Sequence, residues 1–141
     1  MRYILDTDHL SIADRDTVEG FNLGRRLSSV PPEEVAVTVV TYEEQMRGWL
    51  AYIARAHTTE QQVEAYRRRR IHIERLRHIP LVDFDAQAAA VFECLRQARL
   101  RIGVMDLKIA AIALTNNATL LSRNLADFER VPDLHVEDWT L

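Results

Sequence analysis

The chain has 141 residues, enough for one domain that buries most of its apolar surface without disulfides and too few for a second. A net charge of −3 argues against a general nucleic-acid binder, and a single cysteine excludes an internal disulfide. No run approaches the roughly 18 consecutive apolar residues of a membrane span and no basic leader opens the chain, so the expectation is a soluble, unprocessed protein of a reducing cytoplasm with no membrane partner.

Taken in order, Tyr3-Ile4-Leu5 reads as a buried strand that runs straight into Asp6-Thr7-Asp8. In open α/β sheets the crevice beyond the carboxyl ends of the strands is where ligands bind, which puts Asp6 at the mouth of such a crevice. An N-cap for the following helix accounts for the same aspartate, and Asp8 reads as a cap rather than a ligand. Thr7 to Ala13 is expected as a short helix. Asp16-Thr17-Val18-Glu19 has the form of a capping box and opens another helix through Arg26 or Leu27, broken by Ser28 to Pro32. Val35 to Val39 is a short β-branched run suited to a strand buried on both faces, which favours a parallel sheet. Thr41 opens a helix to about Ala56, with Thr41 and Glu44 spaced as a second capping box. A first-turn glutamate after a strand also faces the crevice of Asp6, and Gly48 one turn later leaves room for a close approach.

Thr59 to about Arg77 reads as a long helix that pairs with the preceding one in an αα-hairpin. Val63, Tyr66 and Ile73 lie down one side of this long helix, and the hairpin's apolar residues Trp49, Leu50, Tyr52 and Ile53 exceed what one small core hides, so an outward apolar strip marking a partner or dimer surface is expected. The same helix carries Arg67-Arg68-Arg69-Arg70 with Arg75 and Arg77. Planar guanidinium groups suit phosphate, while Glu64 and Glu74 at helical spacing offer the alternative of a solvated, internally paired face. Pro80 to Phe84 returns to a strand, Asp85 caps a helix from Ala86 to Leu100, and Cys94 in its apolar run is expected as a small core residue.

Ile102 to Leu114 is apolar all round apart from Asp106 and Lys108, the pattern of a helix at the centre of a domain. A carboxylate in its first turn needs compensation, from the helix N-terminus as a cap or from a bound cation. Asn116-Asn117 stops this helix. Thr119 to Ser122 is another short strand, followed by a polar loop and helical turn holding Asn124 and Asp127; a last strand at about Leu134 to Val136 precedes Trp139, which packs back on the core. The alternation of strands and helices gives a three-layer α/β/α domain around a central, mainly parallel sheet.

Asp6, Glu44, Asp106 and the Asn124/Asp127 pair each follow a strand or open a helix at one edge of that sheet. Oxygen ligands without His or Cys at metal spacing point to Mg²⁺ or Mn²⁺; His57 and His72 are expected at the surface. Hard cations in an open acidic cleft serve phosphate-ester chemistry.

Leu5-Asp6-Thr7-Asp8, Val39-Val40-Thr41-Tyr42-Glu43-Glu44 followed by Gly48, Ile102 to Ala111, and Leu121 to Phe128 with the closing Val136-Glu137-Asp138-Trp139 occur in that order along the whole chain. Together they resemble the PIN-domain ribonucleases, specifically the VapC-type toxins of bacterial toxin–antitoxin pairs. The resemblance implies a PIN-like nuclease domain over residues 1–141: an Mg²⁺- or Mn²⁺-dependent endoribonuclease, usually a homodimer, held inactive by a cognate antitoxin. It implies that Asp6, Glu44 and Asp106 are the metal-binding acidic triad, with Asp127 as a further catalytic acid where Asn124 stands in place of the aspartate of some relatives. Ser122 matches a supporting hydroxyl, and Thr7 and Asn124 are supporting residues of the same kind. RNA phosphates would meet Arg47 and Arg123 near the cleft, or Arg67 and Arg70 of the basic cluster. Two other readings use the same residues. In an aspartyl-nucleophile phosphatase of the haloacid-dehalogenase type Asp6 would be the nucleophile and Asp8 the general acid, a chemistry that also wants a lysine where Lys108 is the only one available. In a catalytically inert RNA- or protein-binding module the acids would be caps and the arginines a docking surface.

Overall fold

A computed structural model describes residues 1–141. Five strands, β1 (Tyr3–Leu5), β2 (Val35–Thr38), β3 (Leu81–Val82), β4 (Thr119–Leu121) and β5 (Val136–Glu137), form one sheet in the order β3-β2-β1-β4-β5. All neighbouring pairs are parallel. The helices are α1 (Thr7–Ile12), α2 (Val18–Leu27), α3 (Val39–Ala54), α4 (Thr59–Leu76), α5 (Ala86–Gln97), α6 (Val104–Thr115) and α7 (Leu125–Phe128). From β1 the chain adds β2 and β3 on one side, then returns to lay β4 and β5 on the other. The strand order therefore reverses between β1 and β4, and the crevice at such a switch point opens beyond their carboxyl ends.

Successive side chains of a strand face opposite ways, and the two cores follow that alternation. Ile4 and Leu120 pack with α6 and with Val40, Ala88, Leu95 and Phe128, whereas Leu5, Val37 and Leu121 pack with Ile12, Leu23 and Trp139 on the opposite side. This is the expected three-layer arrangement. In α6 every residue from Ile109 to Ala113 is buried, which answers to its uniformly apolar sequence. No helix is long and apolar enough to cross a membrane.

Several local expectations shift. Helix α3 starts at Val39 because Thr38 closes β2 and its Oγ1 accepts the Thr41 amide; Glu44 therefore lies in the second turn and caps nothing. Helix α2 is capped by Thr17, which accepts from the Gly20 amide, rather than by Asp16. The closing strand falls at Val136–Glu137, later than expected. Cys94 is exposed, because the face of α5 turned to the core carries Ala88, Val91, Phe92 and Leu95, and Cys94 lies off that stripe. His57 is exposed as expected, but His72 is half-buried against the Trp49 ring. Gly48 faces open space and admits a side chain, so no close approach explains it.

The αα-hairpin of α3 and α4 is present, and the Arg69 guanidinium lies over the rings of Trp49 and Tyr52 at 5.4 and 5.3 Å, joining its two arms. Of the four apolar residues expected to overfill the core only Leu50 is exposed, Trp49 being buried and Tyr52 and Ile53 half-buried; on α4, Val63, Tyr66 and Ile73 are exposed.

One glycine is set by packing. Gly20 is buried at the start of α2, where an added Cβ would run into the carbonyl oxygens of Arg15 in the α1–α2 connection and of Ile12 at the end of α1. Gly20→Ala should cost about 1–3 kcal/mol, because both obstacles are backbone and cannot rotate away. A thermal melt checks this, with a fall in Tm of roughly 3 °C or more expected.

Candidate functional site

The site is built on the pairing of β1 with β4. Leu5 stands in register with Leu121, so the next residue on each strand, Asp6 and Ser122, emerge side by side at the switch point. The Asp6 amide donates to the Leu121 carbonyl at 2.9 Å, the Ser122 hydroxyl donates to Asp6 Oδ2 at 2.7 Å, and the Thr7 amide donates to Asp6 Oδ1 at 2.8 Å. Asp6 is thus the N-cap of α1 and a crevice residue at once, and the two readings of the sequence are compatible. Only 6% of it is exposed. Burial pushes its carboxyl up from 3.8 to about 6; the Ser122 and Thr7 bonds oppose this, and the neighbouring Asp8 and Asp106 add to it.

Thr7 links two helices, since its hydroxyl donates to Glu44 Oε1 at 2.8 Å and holds that carboxylate of α3 beside the start of α1. Asp106 lies in the first turn of α6, whose N-cap is Gly103, so its carboxylate is not the cap. Burial raises the Asp106 carboxyl, and Glu44, Asp127 and Asp8 raise it further, against a weaker opposing bond from the Asn124 amide at 3.5 Å. The same Asn124 amide nitrogen donates to Asp127 Oδ2 at 3.0 Å, and Asp127 Oδ1 also faces Arg130 at 3.3 Å. The Asn124 side chain therefore lies between Asp127 and Asp106, and Asp127 is paired with Arg130 on its other oxygen.

Asp6, Glu44, Asp106, Asp127, Thr7, Ser122 and Asn124 come together, then, from four separate stretches of chain. Asp6, Glu44 and Asp106 take part in none of the ion pairs of the protein, which engage Asp8, Asp14, Glu43, Glu64, Glu74, Glu93, Asp127, Glu137 and Asp138 instead. No three His, Cys, Asp or Glu side chains are already set around a common point as a metal site. What the structure shows is a set of neighbouring, partly buried carboxylates, of which Asp6, Glu44 and Asp106 have no cationic side chain as partner. Such a set fits a hard divalent cation.

The arginines divide. Arg47 pairs with Glu43 at 2.6 Å and Arg67 with Glu64 at 2.7 Å, both on exposed helix faces, and Arg68, Arg75 and Arg77 are likewise engaged by Glu64, Asp14 and Glu74. Arg70 is exposed on α4. Arg123 is exposed beside the crevice, its backbone amide bound to Asp8 Oδ2 at 3.0 Å. Lys108 points elsewhere, over the rings of Phe84 and Phe92 at 5.7 and 5.9 Å, which removes the lysine that an aspartyl-nucleophile phosphatase would need at the acids.

Two residues next to the site carry more than the sequence suggested. Asp8 is no simple cap: burial raises its carboxyl, but bonds from His9 and the Arg123 amide outweigh this and hold it below the ordinary value. His9 is completely buried. The available signal was helical spacing, which puts His9 on the same face of α1 as the core residue Ile12.

The raised carboxyl of Asp6 has a consequence for stability. Its proton is held more tightly in the folded protein than in the unfolded chain, so folding is penalised progressively as pH rises from about 4 to about 6, by about 3 kcal/mol once ionisation is complete. Without divalent cations, Asp6→Asn should therefore melt above the wild type at pH 7 and lose that advantage by pH 4. Parallel melts across this range test it, and a constant gap would contradict it.

The chain matches the family model described as PIN domain over residues 3–134. Among curated proteins, ribonuclease VapC2 of Rickettsia felis is 38% identical over 68 residues, covering 45% of this chain and 51% of that protein, so this match spans about half of the relative's length. Ribonuclease VapC1 of Haemophilus influenzae is 27% identical over 142 residues and 99% of both chains. Among solved structures, VapBC2 from Rickettsia felis bound to a DNA fragment from its promoter superposes with a TM-score of 0.71 at 26% identity, over 99% of each chain. Because the family model takes in almost the whole sequence, from the first strand to the approach of the last, the chain belongs to the PIN domain family.

Proposed function

We propose that this protein is a divalent-cation-dependent endoribonuclease of the VapC toxin kind, working in the cytoplasm and kept inactive by a cognate antitoxin. What supports the reading is that Asp6, Glu44 and Asp106 lie near the sheet's switch point without a cationic side chain as partner, the first and last with carboxyls raised by burial and by neighbouring acids. The naming of similar proteins as VapC ribonucleases, and the likeness of the fold to toxin chains of VapBC assemblies, support it.

In this reading Asp6, Glu44 and Asp106 would hold Mg²⁺ or Mn²⁺, which would supply neutralisation of phosphate charge and a lowered pKa for the attacking water. The chain's own residues prepare the site. Ser122 and the Thr7 amide fix both oxygens of Asp6, and the Thr7 hydroxyl fixes Glu44. Asn124 lies between Asp106 and Asp127, so Asp127 acts on the reaction through the Asn124 amide. Attack of water forms the new P–O bond and breaks the P–O3′ bond; the water's proton passes to solvent and the leaving O3′ takes one up from solvent, giving 5′-phosphate and 3′-hydroxyl ends. Among the arginines Arg123 is best disposed to hold an RNA phosphate, with Arg70 further out; Arg47 and Arg67 would first have to leave Glu43 and Glu64. The exposed apolar residues of the hairpin offer surface for the antitoxin or for a second copy of the chain.

Cleavage of structured RNA in Mg²⁺ or Mn²⁺ tests the proposal. Asp6→Asn and Asp106→Asn should each lower the rate by at least about 100-fold, beyond the roughly 10–100-fold typical of outer partners of a metal site. Mn²⁺ at a hundred times its Kd should also stabilise the wild type by about 2.7 kcal/mol, and Asp6→Asn far less. Equal activity of all three proteins, or melting indifferent to millimolar Mn²⁺, would refute it.

A further inference from the structure

Below the carboxylate cluster a chain of hydrogen bonds runs from the last segment of the protein to Asp6, and its central link is His9. The Trp139 amide donates to His9 Nε2 at 3.1 Å, His9 Nδ1 lies 2.8 Å from Asp8 Oδ1, and Asp8 Oδ2 accepts from the Arg123 amide at 3.0 Å. A backbone amide can only donate, so Nε2 is the unprotonated acceptor and the ring proton resides on Nδ1, directed at Asp8. The alternative partner of Nε2, Asp138 Oδ1, is 3.6 Å away and is already taken by the amide and hydroxyl of Thr140.

The fixed tautomer has an effect at the crevice. Ser122 Oγ has one proton and two carboxylates in reach, Asp6 Oδ2 at 2.7 Å and Asp8 Oδ2 at 3.3 Å, while its lone pair accepts the Asn124 amide at 3.0 Å. With Asp8 supplied by two N–H donors, one on each oxygen, the Ser122 proton is left for Asp6. The loop from Ser122 to Asn124 is held at its start by Asp6 through Ser122 and at its middle by Asp8 through the Arg123 backbone amide, and it carries the Asn124 side-chain amide that reaches Asp106. His9 touches none of the reacting groups.

We propose that His9 is a positioning residue for RNA cleavage: locked between the Trp139 amide and Asp8, it aligns Asp8 so that the Ser122–Asn124 loop presents Ser122 to Asp6 and Asn124 to Asp106. The proposal rests on the ribonuclease reading for its effect on rate, but the hydrogen-bond chain itself is measurable without RNA or metal.

Long-range ¹H–¹⁵N spectra of the metal-free protein should show His9 as the neutral Nδ1–H tautomer at pH 7; the opposite tautomer or an imidazolium would overturn the proposal whatever the RNA assay shows. His9→Phe keeps the ring volume and removes both hydrogen bonds. It should lower kcat by roughly 10–100-fold with KM within about threefold of the wild type, and speed hydrogen exchange at the Arg123 and Asn124 amides. His9→Asn, whose amide can still donate to Asp8, should recover part of the rate. If His9→Phe does not fold, Asp8→Asn replaces it: the new amide accepts on one side only and should give a loss of the same size. Wild-type kcat in either folded variant would overturn the proposal, as would equal losses in His9→Phe and His9→Asn. A wild type that shows the Nδ1–H tautomer and protected Arg123 and Asn124 amides yet cleaves no RNA would refute the ribonuclease reading and leave the alignment standing.

Discussion

The structure turns on a buried carboxylate at the end of a buried strand. Asp6 is fixed where it is by the parallel pairing of β1 with β4, and that pairing is fixed by alternation of Ile4 and Leu5 between two cores. A one-residue slip would exchange the two faces of β1 and send Asp6 elsewhere, so the apolar register specifies the polar site. Placing a charge there is unfavourable, as its raised carboxyl shows, and packing of the surrounding sheet and helices holds it in place. The site is thus a local strain carried by a rigid frame, with α6 at its centre.

Polar groups around the cluster are used economically. Thr7 gives its amide to Asp6 and its hydroxyl to Glu44; Ser122 gives its proton to Asp6 and accepts from the Asn124 backbone amide; Asn124 faces both Asp106 and Asp127 with its side-chain Nδ2. Each of these side chains joins two elements. The consequence is that the geometry of three carboxylates depends on a handful of neutral donors, and no salt bridge is needed to hold them. Asp6, Glu44 and Asp106 have no side-chain counter-ion that an incoming cation would have to displace.

Outside the crevice the charges behave in the opposite way. Arg47, Arg67, Arg68, Arg75 and Arg77 all find acids, three or four residues away or, for Arg75, on the neighbouring α1–α2 connection. These exposed pairs contribute little to stability, but they occupy arginines that would otherwise form a basic field. Arg69 works through its flat face, over Trp49 and Tyr52, and secures the hairpin. Exposed arginines without an acidic partner, such as Arg70 and Arg123, are the ones free to meet an anion.

From the sequence alone came the alternating α/β pattern, the parallel sheet, the central α6 and the acids that gather at one edge, because apolar periodicity and strand-end carboxylates are local properties of the chain. Composition could not tell whether Glu44 capped a helix. That depended on Thr38 ending β2 a residue early and taking the cap itself, a choice made by sheet packing. Nor could spacing alone put Cys94 outside or bury His9, since a short helix shows which residues share a face but not which face meets the core. The partnership of Asp6 with Ser122, of Thr7 with Glu44 and of His9 with the Trp139 amide joins residues up to 130 positions apart, and only the folded chain brings such distant donors and acceptors within bonding distance.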